Sequence, residues 1–330
     1  MKNNNYQQLT RTFQRLSRFS HLSSIASWDM FTMMPPGGSA ARGEALAEMS
    51  VLQHQILTDK KVGEWLAAAA EEDLNDVEQA NLREMTRHYQ QATLLPESLV
   101  EAKSLAGSRC EHAWRTQRPA NDWQGFSANL KEVVKLSREE ARLRAEAKGC
   151  TPYDALLDIF EPDMTSARLD VLFGDLKSWL PELLAKVVEK QAQRSFVPPQ
   201  GPFPTATQRE LGLEAMKMLG FDFNGGRLDV SAHPFCGGVP EDVRITTRYD
   251  EDELLSALFG VIHETGHARY EQNLPRAWAG QPVALARSTA IHESQSLFFE
   301  MQLGRSEAFL KQLLPAVHAR FGSQAAFGEE

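Results

Sequence analysis

Apolar side chains recur at steps of three and four along most of this chain, the spacing that places them on one face of an α-helix. The pattern predicts helices over 3–26, 38–56, 72–93, 122–147 and around 166–194, with Pro35, Pro36, Gly37 and Gly38 as a clear break. The stretch 197–204 carries Pro198, Pro199, Pro202 and Pro204. It predicts a linker between an N-terminal helical lobe, 1–195, and a second lobe, 196–330, or else a rigid surface crossing inside one continuous domain. Beyond it, 227–231 and 242–247 alternate polar with apolar residues and are separated by Gly237, Gly238 and Pro240, which predicts a small antiparallel sheet. The fold class expected is therefore mainly α, with a small antiparallel β-sheet.

From Asp250 the helical spacing resumes, with Leu254, Leu255, Leu258, Phe259 and Ile262 in one stripe. Asp250 is a suitable N-cap, Glu253 stands three residues on as in a capping box, and the helix is expected to end before Pro275. On it lies His263-Glu264-Thr265-Gly266-His267. Residues four apart differ by about 40° around a helix and about 6 Å along it, so both imidazoles can reach one metal ion from the same face. That is the spacing of a zinc hydrolase, in which Glu264 flanks the metal without binding it and takes a proton as general base. Gly266 costs a helix about 1 kcal/mol relative to alanine, which predicts a close neighbour at its backbone.

A catalytic zinc takes three protein ligands and keeps one position open. The third is expected on a second helix, begun at Ser288 or Thr289, carried by Ile291, Leu297, Phe298 and Met301, and stopped by Gly304. Glu293 follows His267 by 26 residues, and Pro275, Gly280 and Pro282 between them suit a chain reversal. Glu293 then completes a site of two histidines and one glutamate. His292 is the competing ligand, and because neighbours on a helix point about 100° apart, only one of the two faces the metal. Such a donor set accepts zinc or cobalt.

In order along the chain stand His233-Pro234-Phe235, Asp242-Val243-Arg244-Ile245-Thr246-Thr247, His263-Glu264-Thr265-Gly266-His267 and His292-Glu293-Ser294-Gln295. Together with Trp28-Asp29, Met34-Pro35-Pro36-Gly37-Gly38 and Arg42, they resemble the carboxypeptidase Taq family of metallocarboxypeptidases. The resemblance implies a zincin-like helical peptidase whose small sheet lies beside the metal-binding helices and lines the cleft. It implies that His263, His267 and Glu293 hold the metal and that Glu264 is the catalytic base and later the acid. Residues 196–330 then form the catalytic lobe. Its substrates are expected to be peptides, shortened one residue at a time from the C-terminus, by a cytoplasmic homodimer. Family members usually run longer, and after the metal helices carry an Ile-Arg-x-x-Ala-Asp segment and a Gly-x-x-Gln-Asp-x-His-Trp segment. Neither occurs here, so the C-terminal part of the family pattern is expected to be missing. Recognition of a terminal carboxylate needs a positive anchor, for which Arg244 and Arg287 are candidates. His233 is a candidate substrate contact. A metal-binding fragment without catalysis and a zinc endopeptidase are the alternative readings.

Composition narrows the partners. At 42% hydrophobic and 24% charged residues, 330 residues can bury a large core. A net charge of −9 argues against nucleic acid or an anionic membrane as partner. The first residues show no apolar signal core and no run of 18 apolar residues occurs, so a cytoplasmic location is expected. Cys110, Cys150 and Cys236 form neither a disulfide framework nor a metal cluster by spacing, and Cys236 reads as a small packed residue. His21, His54, His88, His112 and His318 lack companions at ligand spacing and read as structural.

Overall fold

The computed structural model describes residues 4–328; Asn3, where the first helix is expected to begin, lies outside them. Helices dominate: α1 (Asn5–Thr32), α2 (Ser39–Thr58), α3 (Lys60–Ala69), α4 (Asp76–Thr93), α5 (Glu97–Gln117), α6 (Trp123–Lys148), α7 (Pro152–Phe160), α8 (Ser166–Ala192), α9 (Thr205–Met218), α10 (Leu254–Gln272), α11 (Thr289–Leu297) and α12 (Glu307–Phe321). Three strands accompany them: β1 (Gly226–Val230), β2 (Cys236–Val239) and β3 (Asp242–Thr247). The chain forms two compact units, the first of Met1–Leu156, Gly237–Asp242 and Asn273–Ala286, the second of Leu157–Cys236, Val243–Gln272 and Arg287–Glu330.

In the first unit the helical spacing of Tyr6, Leu9, Phe13 and Leu16 turns one stripe of α1 inward, against Val62 and Leu66 of α3 and Met85 of α4. The α4 start is a capping box: Asn75 accepts the Glu78 amide while Glu78 accepts the Asn75 amide. Asn81 is fully buried and satisfied, donating to Tyr6 Oη and Gln281 Oε1 and accepting from the Val283 amide.

The second unit is built around α10. Leu254, Leu258 and Ile262 join Leu211 and Ala215 of α9 and Phe309, Leu313 and Val317 of α12 in one core. Val261 and Ala268 face a second core with Leu228 of β1 and Val243 and Ile245 of β3. A helix with two apolar faces is anchored on both sides. The stretch 197–204 runs within this unit, where Phe203, 1% exposed, joins the first of these cores.

Two expectations are corrected. The sheet is mixed rather than wholly antiparallel: its order is β1-β3-β2, and β1 pairs with β3 in parallel, Gly226 opposite Val243 through Val230 opposite Thr247. The reason is a strand the spacing did not reveal. The chain reverses between β1 and β2, over 231–235, and again at the Pro240-Glu241 turn before β3, so β1 runs in the same direction as β3 and pairs with the edge that β2 leaves open. The second correction is that α10 begins at Leu254, four residues after Asp250. The Glu253 carboxylate takes the amides of Leu255 and Ser256, while the carbonyls of Asp250 and Glu251 are used by Gln208 and the Phe203 amide.

No residue of α8 is buried, and Phe173, Trp179, Leu183, Leu184, Val187 and Val188 are exposed. An apolar stripe of this length in water binds apolar dyes. The expected outcome is that replacing Leu183 and Leu184 by Gln lowers dye fluorescence without lowering the Tm; undiminished fluorescence would locate the dye elsewhere.

Candidate metal centre

The site starts from a missing side chain. A Cβ at Gly266 would lie 2.6 Å from the Gln295 carbonyl oxygen and 2.7 Å from Ser296 Cα, so α10 and α11 touch backbone to backbone there. This is the close neighbour that a glycine within the motif predicts. After α11 the helix widens into a π turn over Phe298–Gly304, ending where Gly304 was expected to stop it. Gly304 also marks a close approach, for a Cβ there would lie 2.9 Å from Ile262 Cγ2 and from the Phe299 carbonyl. Ser288 caps α11 by accepting the Ile291 amide, and Glu161 in turn accepts from Ser288 Oγ and the Ala290 amide, fixing where the helix begins.

Across this contact, one ligand atom each of His263, His267 and Glu293 lies within 4.8 Å of the other two. Glu293 Oε1 is 3.9 Å from His263 Nε2, and its Oε2 is 3.1 Å from His267 Nε2. Ligands about 2.1 Å from a tetrahedral ion stand about 3.4 Å apart, so the spacing fits a divalent cation. Among the described residues this is the group of histidine, cysteine and carboxylate donors that could hold a metal ion.

Glu264 is 6% exposed, and its Oε2 is buried without a hydrogen-bond partner. Burial, aided by the Glu293 charge, pushes its carboxyl up to about 8. His267 is lowered to about 4, first by burial and then by the neighbouring His292 and His263, against the pull of Glu293 and the His292 backbone. It is thus neutral through the physiological range, the form in which imidazole binds metal. Burial and the charges of Glu264 and Glu271 push the Cys236 thiol well up, which keeps it an inert packed thiol rather than a nucleophile.

The competing ligand His292 points elsewhere: its Nε2 lies 2.7 Å from Glu271 Oε1, and its ring stacks on His267 with centroids 4.6 Å apart. Tyr270 meets it edge-on. His233 is exposed between β1 and β2, its carbonyl accepting from Ser231 Oγ. Arg244 lies on β3 opposite Arg227. Arg287 lies 3.9 Å from Asp163. The structure thus brings His263, Glu264, His267 and Glu293 together, while His233 and Arg244 lie on the sheet and its loop. One group was missed: Glu300 Oε2 lies 3.0 Å from His263 Nδ1. Its signal was available, since a carboxylate seven residues after Glu293 falls near the same helix face. Glu300 is half-buried; burial raises its carboxyl, but hydrogen bonds from Arg305 and His263 outweigh this and hold it below the usual range.

The sequence model of the carboxypeptidase Taq (M32) metallopeptidase family matches residues 8–329. The chain belongs to that family. It is 38% identical over 331 residues to thermostable carboxypeptidase 1 of Thermus thermophilus, covering 96% of this chain and 65% of the relative. Against carboxypeptidase 1 of Bacillus subtilis the identity is 35% over 301 residues, 90% of this chain and 59% of the relative. Among solved structures, Trypanosoma cruzi metallocarboxypeptidase 1 superposes with a TM-score of 0.89 at 49% identity, covering 98% of this chain and 66% of that one. This M32 chain therefore spans about two thirds of the length of the relatives it matches. Among the described residues no helix is long and apolar enough to cross a membrane.

Two outcomes test this geometry. Gly266→Ala gains about 1 kcal/mol of helix propensity but must push two backbones apart, at a typical cost of about 1–3 kcal/mol, so the variant should melt lower and bind zinc more weakly in a chelator competition. The second outcome concerns Glu264 in the metal-free protein. Its folded pKa, about 8, stands above the ordinary 4.5, so its contribution to stability is fully present below pH 4.5 and is lost as pH rises toward 8. Glu264→Gln removes that loss. Its Tm in chelator should exceed that of the wild type at pH 8, with the gap closing toward pH 4.5; a gap independent of pH would show that burial does not hold this proton.

Proposed function

We propose that this M32 chain is the metal-binding catalytic part of a metallocarboxypeptidase, removing C-terminal residues from peptides, with zinc as the metal and cobalt as an alternative. The observation that carries it is the convergence of His263, His267 and Glu293 beside a buried, unpartnered Glu264 oxygen. When bound, the metal supplies Lewis acidity, activating water near neutral pH and polarising the scissile carbonyl.

In this reading His263 and His267 present their Nε2 lone pairs and Glu293 its carboxylate as ligands. Glu264 Oε2 takes the proton of the attacking water and then returns it to the leaving amine nitrogen. The first half needs the ionised carboxylate. Without metal, burial keeps Glu264 protonated up to about pH 8. The positive charge of a bound metal would favour the ionised form that accepts a proton, while burial favours the protonated form that returns it. Arg244 is assigned to the terminal carboxylate of the substrate, as a guanidinium that can grip it at two points, and His233 to a further peptide contact. All these residues lie in the proposed catalytic lobe, 196–330, which follows a helical lobe, 1–195. The family resemblance supports a cytoplasmic homodimer.

Mass spectrometry of a model peptide incubated with the zinc-loaded chain tests the activity. Stepwise loss from the C-terminus is expected; internal cuts would make it an endopeptidase, and an intact peptide a binding fragment. In the same assay Glu264→Gln should keep about one zinc per chain while turnover falls by at least about a hundredfold. Glu293→Ala should lose the metal and His292→Ala retain it, measured by atomic absorption. The reverse pattern would make His292 the third ligand.

A further inference from the structure

His263 uses both of its ring nitrogens. Nε2 faces Glu293, and Nδ1, on the other side of the ring, lies 3.0 Å from Glu300 Oε2. The second oxygen of Glu300 is also engaged: Arg305 Nη2 donates to Oε1 at 2.7 Å. The guanidinium of Arg305 in turn lies over the Phe259 ring, 4.3 Å from its centroid. Phe259 is on α10, one turn before His263, so the chain of contacts returns to the helix that carries the imidazole.

We propose that Glu300, held by Arg305, is a positioning residue for His263, fixing the ring and the tautomer that turn the Nε2 lone pair toward the metal. This rests on the metal reading of the site. Three features carry it. A carboxylate has no hydrogen to give when ionised, so it accepts the Nδ1 hydrogen, which leaves Nε2 free to bind. Because its two oxygens are divided between His263 and Arg305, the carboxylate cannot rotate without breaking one contact. It also touches the ring nitrogen remote from the donor cluster, which makes it a partner of the ligand rather than a fourth ligand.

The pair Arg305 and Glu300 would be an ordinary surface ion pair if it ended there, worth little in water. What distinguishes it is location: Glu300 lies in the π turn, and widened turns gather where a side chain is aimed at a site. Carboxylate partners of metal-bound imidazoles typically change metal affinity by about 10- to 100-fold when removed.

The test uses the full chain, zinc and a chromophoric chelator, with imidazole nitrogen NMR spectra of the metal-free protein labelled at histidine. Glu300→Leu, which removes the acceptor, should weaken zinc binding by about 10- to 100-fold and move the His263 hydrogen from Nδ1 toward Nε2. Glu300→Gln keeps an acceptor carbonyl and should retain the Nδ1 hydrogen with a smaller loss of affinity. If the leucine variant does not fold, Glu300→Gln combined with Arg305→Leu takes its place and should both weaken zinc and shift the tautomer. Zinc affinity equal to the wild type, or weakened affinity with an unchanged His263 spectrum, overturns the positioning role while leaving the metal reading intact. A wild-type chain that binds no zinc overturns both.

Discussion

Everything at the metal centre depends on the contact between α10 and α11 at Gly266. Packed helices ordinarily keep their axes about 8–10 Å apart, because side chains stand between them. At this point the Gln295 carbonyl occupies the space where a Cβ would be. Two donors from one helix and one from the other therefore converge without long, mobile side chains having to reach for each other. Gly304 repeats the device one wide turn later, against Ile262. The cost of about 1 kcal/mol for a glycine within a helix is offset by this convergence, which no side chain of larger size permits.

Close backbones alone would not hold a site lined with polar groups. Glu264 is buried with one oxygen unpartnered, a penalty of about 1–3 kcal/mol for such a group. It is carried by its immediate neighbours. Ile262 is 0% exposed and Val261 is 1% exposed, each in a different core, and burying one such side chain contributes about 1.5–3 kcal/mol. The polar motif thus occupies one side of α10, while apolar residues beside it anchor the helix on two others. A helix with a single apolar stripe could tilt to expose Glu264. One clamped between the sheet and the pair α9 and α12 cannot do so without opening a core.

The histidine spacing, Gly266 and the Ser288 start of α11 were legible because each rests on local rules: helical periodicity, the cost of glycine, the preference of serine for an N-cap. Glu293 was legible through its distance from His267 and the turn residues between them. What failed was whatever depended on a distant partner. The parallel pairing of β1 with β3 follows from the two chain reversals that flank the intervening β2, and Cys236-Gly237-Gly238-Val239 has too little alternation to announce that strand. The late start of α10 follows from Gln208 and the Phe203 amide taking the carbonyls of Asp250 and Glu251. Neither partner is near in sequence, so no capping rule read along the chain could include it.

The π turn joins these two kinds of legibility. Its residues, Phe298–Gly304, keep the composition of a helix, so the periodicity that announces α11 also conceals where it widens. In a regular α-helix, residues seven apart lie about 20° apart around the axis and about 10.5 Å along it, and that rule alone places Glu300 near the face of Glu293. The widened turn alters the aim rather than the face. It accommodates the extra width where Gly304 lets Ile262 approach, and it leaves Glu300 against the far nitrogen of His263 instead of among the donors. One continuous run thus presents one carboxylate to each side of the same imidazole, Glu293 on the regular turns and Glu300 on the wide one.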